Sequence, residues 1–176
     1  MNVFIGCSSR ANLDKIYINS ASKLAEYLSN KTYNLVCGGN EGIMKLIRDI
    51  FIKNEMNTII MSVDKYQKIS FNNNVYNHDT IGERKYSLIN NSDLIIFLPG
   101  GLGTIDEIFT SIESKRAKEH NLPIIILNIH NYYEGIIKQL NRMYKDNFAN
   151  TSDNKFYYIA NNVEDAIKYI EQLGDK

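Results

Sequence analysis

The sequence predicts an α/β fold, a doubly wound and mainly parallel sheet with helices on both faces. Three observations point there. Short apolar runs without polar interruption, such as Leu94, Ile95, Ile96, Phe97 and Leu98, suit strands buried on both sides. Segments with apolar residues at helical spacing alternate with these runs along the chain. Glycine turns, GGNEG at 38–42 and PGGLG at 99–103, fall where strand gives way to helix, the edge at which such sheets hold ligands.

Val3, Phe4 and Ile5 form a short buried strand that ends at Gly6, Cys7, Ser8, Ser9 and Arg10. Leu13, Ile16, Tyr17, Ala21, Leu24, Ala25 and Leu28 then mark a helix. A second strand is expected over 33–37, followed by the GGNEG turn and a helix carrying Ile43, Met44, Leu46, Ile47, Ile50 and Phe51. A third strand is expected over 58–63. Residues 64–79 are polar, rich in asparagine and without clear period, so they read as a loop beside the site. Glu83, Arg84 and Lys85 precede a short helical pattern whose Leu88 and Ile89 pack inward.

The strand over 94–98 runs into PGGLG, and Thr104 can cap or open the helix bearing Ile105, Ile108, Phe109 and Ile112. A strand at 122–127 and a helix with Tyr133, Ile136, Ile137, Leu140, Met143 and Tyr144 follow. After a polar segment at 146–155 come a last strand at 156–159 and a closing helix with Val163, Ala166, Ile167, Ile170 and Leu173. Asn161 and Asn162 are its cap candidates. No linker or low-complexity tract interrupts the alternation, so 1–176 reads as a single domain.

Composition narrows the partners. Lys plus Arg total 20 and Asp plus Glu total 20, so no net charge advertises nucleic acid or an anionic membrane. No signal sequence follows Met1 and no apolar stretch approaches the length of a membrane span, which leaves the cytoplasm as the expected compartment. Cys7 and Cys37 fit no zinc spacing and read as small buried hydrophobes. His78, His120 and His130 are scattered, so the sequence gives a metal site no support.

The chemistry gathers around the second glycine turn. Pro99, Gly100, Gly101 and Gly103 let a ligand approach the backbone, and a helix N-terminus behind them favours an anion such as phosphate. Glu107, one turn into that helix, is expected on its exposed side, reaching over the phosphate toward an attached sugar. Arg84 and Lys85 supply cations. Taken singly, these charges are more commonly a helix-end carboxylate and a solvated surface pair; their combination favours a nucleotide-type ligand. The turns match neither GxGxxG nor Walker A spacing, so a dinucleotide cofactor is not expected.

Gly6-Cys7-Ser8-Ser9, Gly38-Gly39 with Gly42-Ile43-Met44, Glu83-Arg84-Lys85 and PGGLGTIDE at 99–107 occur in an order and spacing that resemble the Lonely-guy family. These are nucleotide phosphoribohydrolases that release cytokinins, and relatives are often mislabelled lysine decarboxylases. The match extends to Leu122-Pro123 and to Tyr132-Tyr133, and so covers nearly the whole chain. It implies a Rossmann-like fold, Arg84 and Glu107 as the catalytic pair, and a 5′-phosphate on Gly100, Gly101, Gly103 and Thr104. Ser8, Gly38, Gly39 and Lys85 would line the same pocket.

The family usually carries a third glycine where this chain has Asn40, and often Thr-Trp followed by Gln where it has Glu113, Ser114 and Arg116. Those departures bear on the base pocket and leave the phosphate loop and catalytic pair intact. The implied activity is hydrolysis of a nucleoside 5′-monophosphate, AMP or a cytokinin riboside 5′-monophosphate among the candidates, to free base and ribose 5-phosphate. No cofactor is implied, since water is the second reactant. A non-catalytic nucleotide-binding or carrier protein is the alternative, because the same cradle serves both. A pyridoxal-phosphate decarboxylase is disfavoured, no lysine lying in a recognised Schiff-base motif. The resemblance also implies a homodimer, to which the apolar residues of the helices at 43–51 and 105–112 would contribute.

Overall fold

Alternation of side chains across short β-branched runs decides the layering. In chain order the elements are β1 (Asn2–Gly6), α1 (Lys15–Asn30), β2 (Asn34–Cys37), α2 (Ile43–Lys53), β3 (Thr58–Val63), β4 (Val75–His78) and α3 (Ile81–Asn90). Then follow β5 (Leu94–Phe97), α4 (Leu102–Arg116), β6 (Ile124–Leu127), α5 (Glu134–Lys145), β7 (Tyr158–Ala160) and α6 (Val163–Gly174). Two 3₁₀ turns, Ile129–Asn131 and Thr151–Phe156, precede α5 and β7. This computed structural model describes residues 1–63 and 74–174.

On one face of the sheet Val3, Ile5, Leu35, Ile96 and Leu127 pack with Leu24 of α1, Phe51 of α2 and Ile170 of α6. On the other, Phe4, Val36, Ile95, Phe97 and Ile126 pack with Leu88 of α3, Ile108 of α4 and Tyr133 before α5. Phe4 and Phe97 meet edge to face at 5.6 Å between ring centroids. Two helix layers therefore enclose one sheet, as the alternation predicts.

The described strands are all parallel, in the order β4-β3-β2-β1-β5-β6-β7. The direction of winding reverses at β1, which pairs with β2 on one side and β5 on the other. The chain leaves β1 for α1 on one face and β5 for α4 on the other, so the two loops diverge and open a crevice between them.

Three local expectations change. The loop expected over 64–79 contains a strand: Val75 and His78 pair with Ile60 and Val63. Being an edge strand, β4 leaves Tyr76 and Asn77 exposed, so it lacks the apolar run that marks its neighbours; 64–73 lie outside the described residues. His78 fastens it, Nδ1 donating to the Ser62 carbonyl (3.1 Å) with Nε2 2.6 Å from Ser87 Oγ.

Glu83, Arg84 and Lys85 lie inside α3 rather than before it. The helix starts at a capping box in which Thr80 Oγ1 accepts from Glu83 N–H (3.1 Å) and Glu83 Oε2 accepts from Thr80 N–H (3.3 Å). The last strand begins two residues later than expected, after the 3₁₀ turn. Asn162 caps α6 as its sequence suggests, accepting from Asp165 N–H at 2.8 Å. Among the described residues no helix is long and apolar enough to cross a membrane.

Candidate active site

The crevice holds a cleft of about 330 Å³. Its wall on one side is the start of α4, and that helix departs from the usual pattern. The face it buries is Thr104, Glu107, Ile108, Ser111 and Ser114, with a single apolar side chain. Glu107 is therefore buried, not exposed as the apolar stripe suggested, and Phe109 takes the solvent side. Gly6 makes this possible: a Cβ there would stand 2.6 Å from Phe97 Cδ1 and 3.1 Å from Glu107 Oε2.

Thr104 is not the cap of α4. It lies within the helix, buried, its Oγ1 donating to the Cys7 carbonyl at 3.2 Å. The N-cap is Gly101, and no side chain caps the helix. The first-turn amides of α4 are thus left for a ligand. A Cβ on Gly101 or Gly103 would meet nothing within 4 Å, so both face open space, whereas Gly100 lies under Thr104, whose Oγ1 is 2.1 Å from where its Cβ would be.

Two tyrosines hold this loop from behind. Tyr132 donates to the Gly100 carbonyl and Tyr133 to the Leu98 carbonyl, each at 2.7 Å. Because a trans peptide sets C=O and the next N–H on opposite sides, fixing the Gly100 oxygen turns the Gly101 N–H away from Tyr132. The tyrosines are presented by a tight bend in which His130 and Asn131 adopt φ of 53° and 58°, with Asn128 Oδ1 accepting from Tyr133 N–H at 2.7 Å.

Arg84 Nη2 donates to Glu107 Oε1, and the two side chains are only 15% and 8% exposed. Burial raises the Glu107 carboxyl above its ordinary value of 4.5, and the Arg84 charge opposes that shift without cancelling it. Arg84 Nε is buried with no hydrogen-bond partner among the described residues. Gly38 leaves room for the guanidinium, since a Cβ there would come within 3.2 Å of Arg84 Nη1. Beside this pair, Lys85 Nζ donates to both oxygens of Asp106 (2.8 and 2.9 Å) and to Thr110 Oγ1 (3.0 Å).

Of the residues the sequence picks out, Ser8, Arg84, Lys85, Gly101, Gly103, Thr104 and Glu107 line the cleft. Gly38, Gly39 and Gly100 do not line it and instead shape its wall from behind. Asn40 is at the surface of the cleft, but Glu113 and Arg116 are not: they pair with each other along exposed α4. Cys7 lines the cleft with its thiol pushed well up by burial, and both cysteines are free and buried, as expected.

Sequence reasoning missed Arg48. It is buried on the face of α2 that also carries Met44, Ile47 and Phe51, and its Nη1 donates to the carbonyls of Gly39 (3.0 Å) and Asn40 (3.4 Å). A lone arginine at i+4 from Met44, in an otherwise apolar series, was the available signal. The turn it clamps is tight. Gly39 and Gly42 have φ of 79° and 68°, and a Cβ on Gly42 would stand 2.4 Å from the Arg10 carbonyl oxygen. Gly42→Ala is expected to destabilise the protein by about 1–3 kcal/mol, read as a lowered thermal midpoint, because left-handed strain and a backbone clash coincide there.

Residues 41–170 match a family described as possible lysine decarboxylase. A cytokinin riboside 5′-monophosphate phosphoribohydrolase of Arabidopsis thaliana is 26% identical over 176 residues, covering 96% of this chain and 76% of the relative. A protein of the same description from Mycobacterium tuberculosis is 30% identical over 90 residues, 51% of this chain and 48% of the relative. Among solved structures, the molybdenum cofactor carrier protein of Chlamydomonas reinhardtii superposes with a TM-score of 0.72 at 17% identity, covering 99% of this chain and 98% of that one. That likeness is one of fold.

Proposed function

The chain belongs to the family described as possible lysine decarboxylase, the Lonely-guy family that its motifs resemble, and from that premise we propose that it hydrolyses nucleoside 5′-monophosphates to free base and ribose 5-phosphate. One observation carries the reading: a buried carboxylate paired to an arginine lies beside a helix N-terminus that no side chain caps.

The phosphate would sit on the first-turn amides of α4, with the helix dipole favouring its charge. Glu107 is five residues beyond Leu102, about 7.5 Å along the helix axis, comparable to the reach from a 5′-phosphate to the anomeric carbon. Cleavage of the N-glycosidic bond passes through a ribosyl cation, which Glu107 would stabilise, attack, or supply with an activated water. Arg84 draws that buried carboxyl back toward its ionised form, and phosphate binding remote from the bond orients the ribose.

The cleft does not fit a pyridoxal-phosphate Schiff base. Lys85, its only lysine among the described residues, is already engaged by Asp106 and Thr110. The named relatives support a cytokinin riboside 5′-monophosphate as substrate, with AMP as the simplest analogue. A panel of nucleoside 5′-monophosphates, assayed for free base and ribose 5-phosphate in equal amounts, tests the proposal. Tight binding with no base released from any of them would replace it with the carrier reading.

A homodimer in the cytoplasm completes the proposal. Ile43, Met44, Ile47 and Phe51 of α2 are buried in the core with α1 while Ile52 is 46% exposed, and α4 leaves Leu102 86% and Phe109 40% exposed. Phe109 borders a groove of about 520 Å³ with Met143, Tyr144 and Phe148, the last 85% exposed. A second copy covering this face would remove that surface from water. Light scattering at micromolar protein is expected to give the dimer mass, and Phe109→Asp with Phe148→Ser to give the monomer. A monomer mass for the unaltered protein would end the dimer reading.

A further inference from the structure

We propose that Arg10 is the counter-charge of the substrate phosphate, a role that rests on the nucleotide reading above. Among the described residues three cations line the cleft: Arg10, Arg84 and Lys85. Two are already engaged. Arg84 is paired with Glu107, and drawing it toward a phosphate would strand that carboxylate in a buried place without its partner. Lys85 is held by Asp106 and Thr110 together. Neither can meet an incoming anion without giving up a partner it already has.

A phosphomonoester brings nearly two negative charges at neutral pH, against roughly half a positive charge from a helix N-terminus. Among the described residues Arg10 is the cation left to meet it. Its side chain is exposed and makes no ion pair or hydrogen bond among the described residues.

The backbone of Arg10 is fixed although its guanidinium is free. Its N–H donates to Ser8 Oγ at 3.0 Å, its carbonyl lies against Gly42, and the Cys7 carbonyl three residues earlier receives the Thr104 hydroxyl. This short loop is thus clamped between the start of α2 and the first turn of α4, which puts Arg10 at the rim of the cleft that holds the α4 amides. A fork of guanidinium donors matches phosphate oxygens in pairs, which an ammonium cannot reproduce.

Titration of ribose 5-phosphate by calorimetry, on the unaltered protein, Arg10→Gln and Arg10→Lys, tests the role without requiring turnover. Arg10→Gln should bind about tenfold to a hundredfold more weakly, with an unchanged thermal midpoint, and Arg10→Lys should fall between. The affinity of the unaltered protein should also drop more steeply with salt than that of Arg10→Gln. Equal affinity of Arg10→Gln and the unaltered protein overturns the proposal and leaves the nucleotide reading standing. Failure of the unaltered protein to bind ribose 5-phosphate at all overturns both.

Discussion

Glu107→Gln is expected to lower turnover of a nucleoside monophosphate by about 100-fold or more while the protein stays folded. The amide keeps the volume of the side chain and leaves an oxygen for Arg84, but it lacks the charge that a ribosyl cation requires. Stability should fall less than in Arg84→Ala, because the amide oxygen still accepts from Arg84, but the arginine's charge is left uncompensated in a buried place. Ribose 5-phosphate binding should survive as well, since the proposed seat of the phosphate is the α4 amides. Near-normal turnover in a folded Glu107→Gln protein would reduce this carboxylate to a structural partner of Arg84.

Arg84→Ala should do more damage, because it removes both a donor and the charge that compensates Glu107. Breaking one side of a buried pair costs about 3–5 kcal/mol, which should appear as a lower unfolding midpoint at neutral pH. The pH dependence gives the sharper signature. Glu107 titrates above 4.5 because of burial, and Arg84 is the strongest influence drawing it back. Activity should therefore fall as pH drops through that raised value, and in Arg84→Ala the acid limb should move to higher pH, with partial recovery of rate under alkaline conditions.

Stability should run the opposite way. A carboxyl whose folded value lies above its unfolded one favours the folded state below pH 4.5, and that advantage is lost as pH rises through the folded value. Arg84→Ala should accordingly lose stability between acid and neutral pH. Adding Glu107→Gln to it should flatten that slope. An acid limb that does not move in Arg84→Ala would show that the arginine does not govern the ionisation of Glu107.

The sheet and its glycine edge were legible because their signals are local. An apolar run such as 94–97 suits burial on both faces, and Pro99, Gly100 and Gly101 mark the turn that ends it before α4 begins at Leu102. The start of α3 was missed by a few residues although Thr80 and Glu83 spell out a capping box, since the polar stretch before them masked the boundary. Edge strand β4 was hidden for a different reason. With one neighbour and an exposed side, it needs no apolar alternation at Tyr76 and Asn77.

The site was legible in its residues but not in its orientation. Periodicity turned α4 on Ile105, Ile108 and Ile112, whereas close packing over Gly6 and under Gly100 selects small and polar side chains and turns Glu107 inward. No sequence pattern reports such close approach between distant segments. Arg48 and the hydroxyls of Tyr132 and Tyr133 escaped for the same reason, because their partners are backbone carbonyls brought near only by the fold.

The central claim, that a phosphate held on the α4 amides places a ribose against Glu107 for cleavage, is tested most directly by one ratio. The kcat/KM for base release from a nucleoside 5′-monophosphate should be divided by that for the same nucleoside, AMP against adenosine or a cytokinin pair. We expect a ratio of about 100 or more, the worth of losing a charge-assisted anchor of about 3 kcal/mol. Comparable values for the two substrates would contradict the account, because the nucleoside would then be oriented and cut without the group on which the site is built.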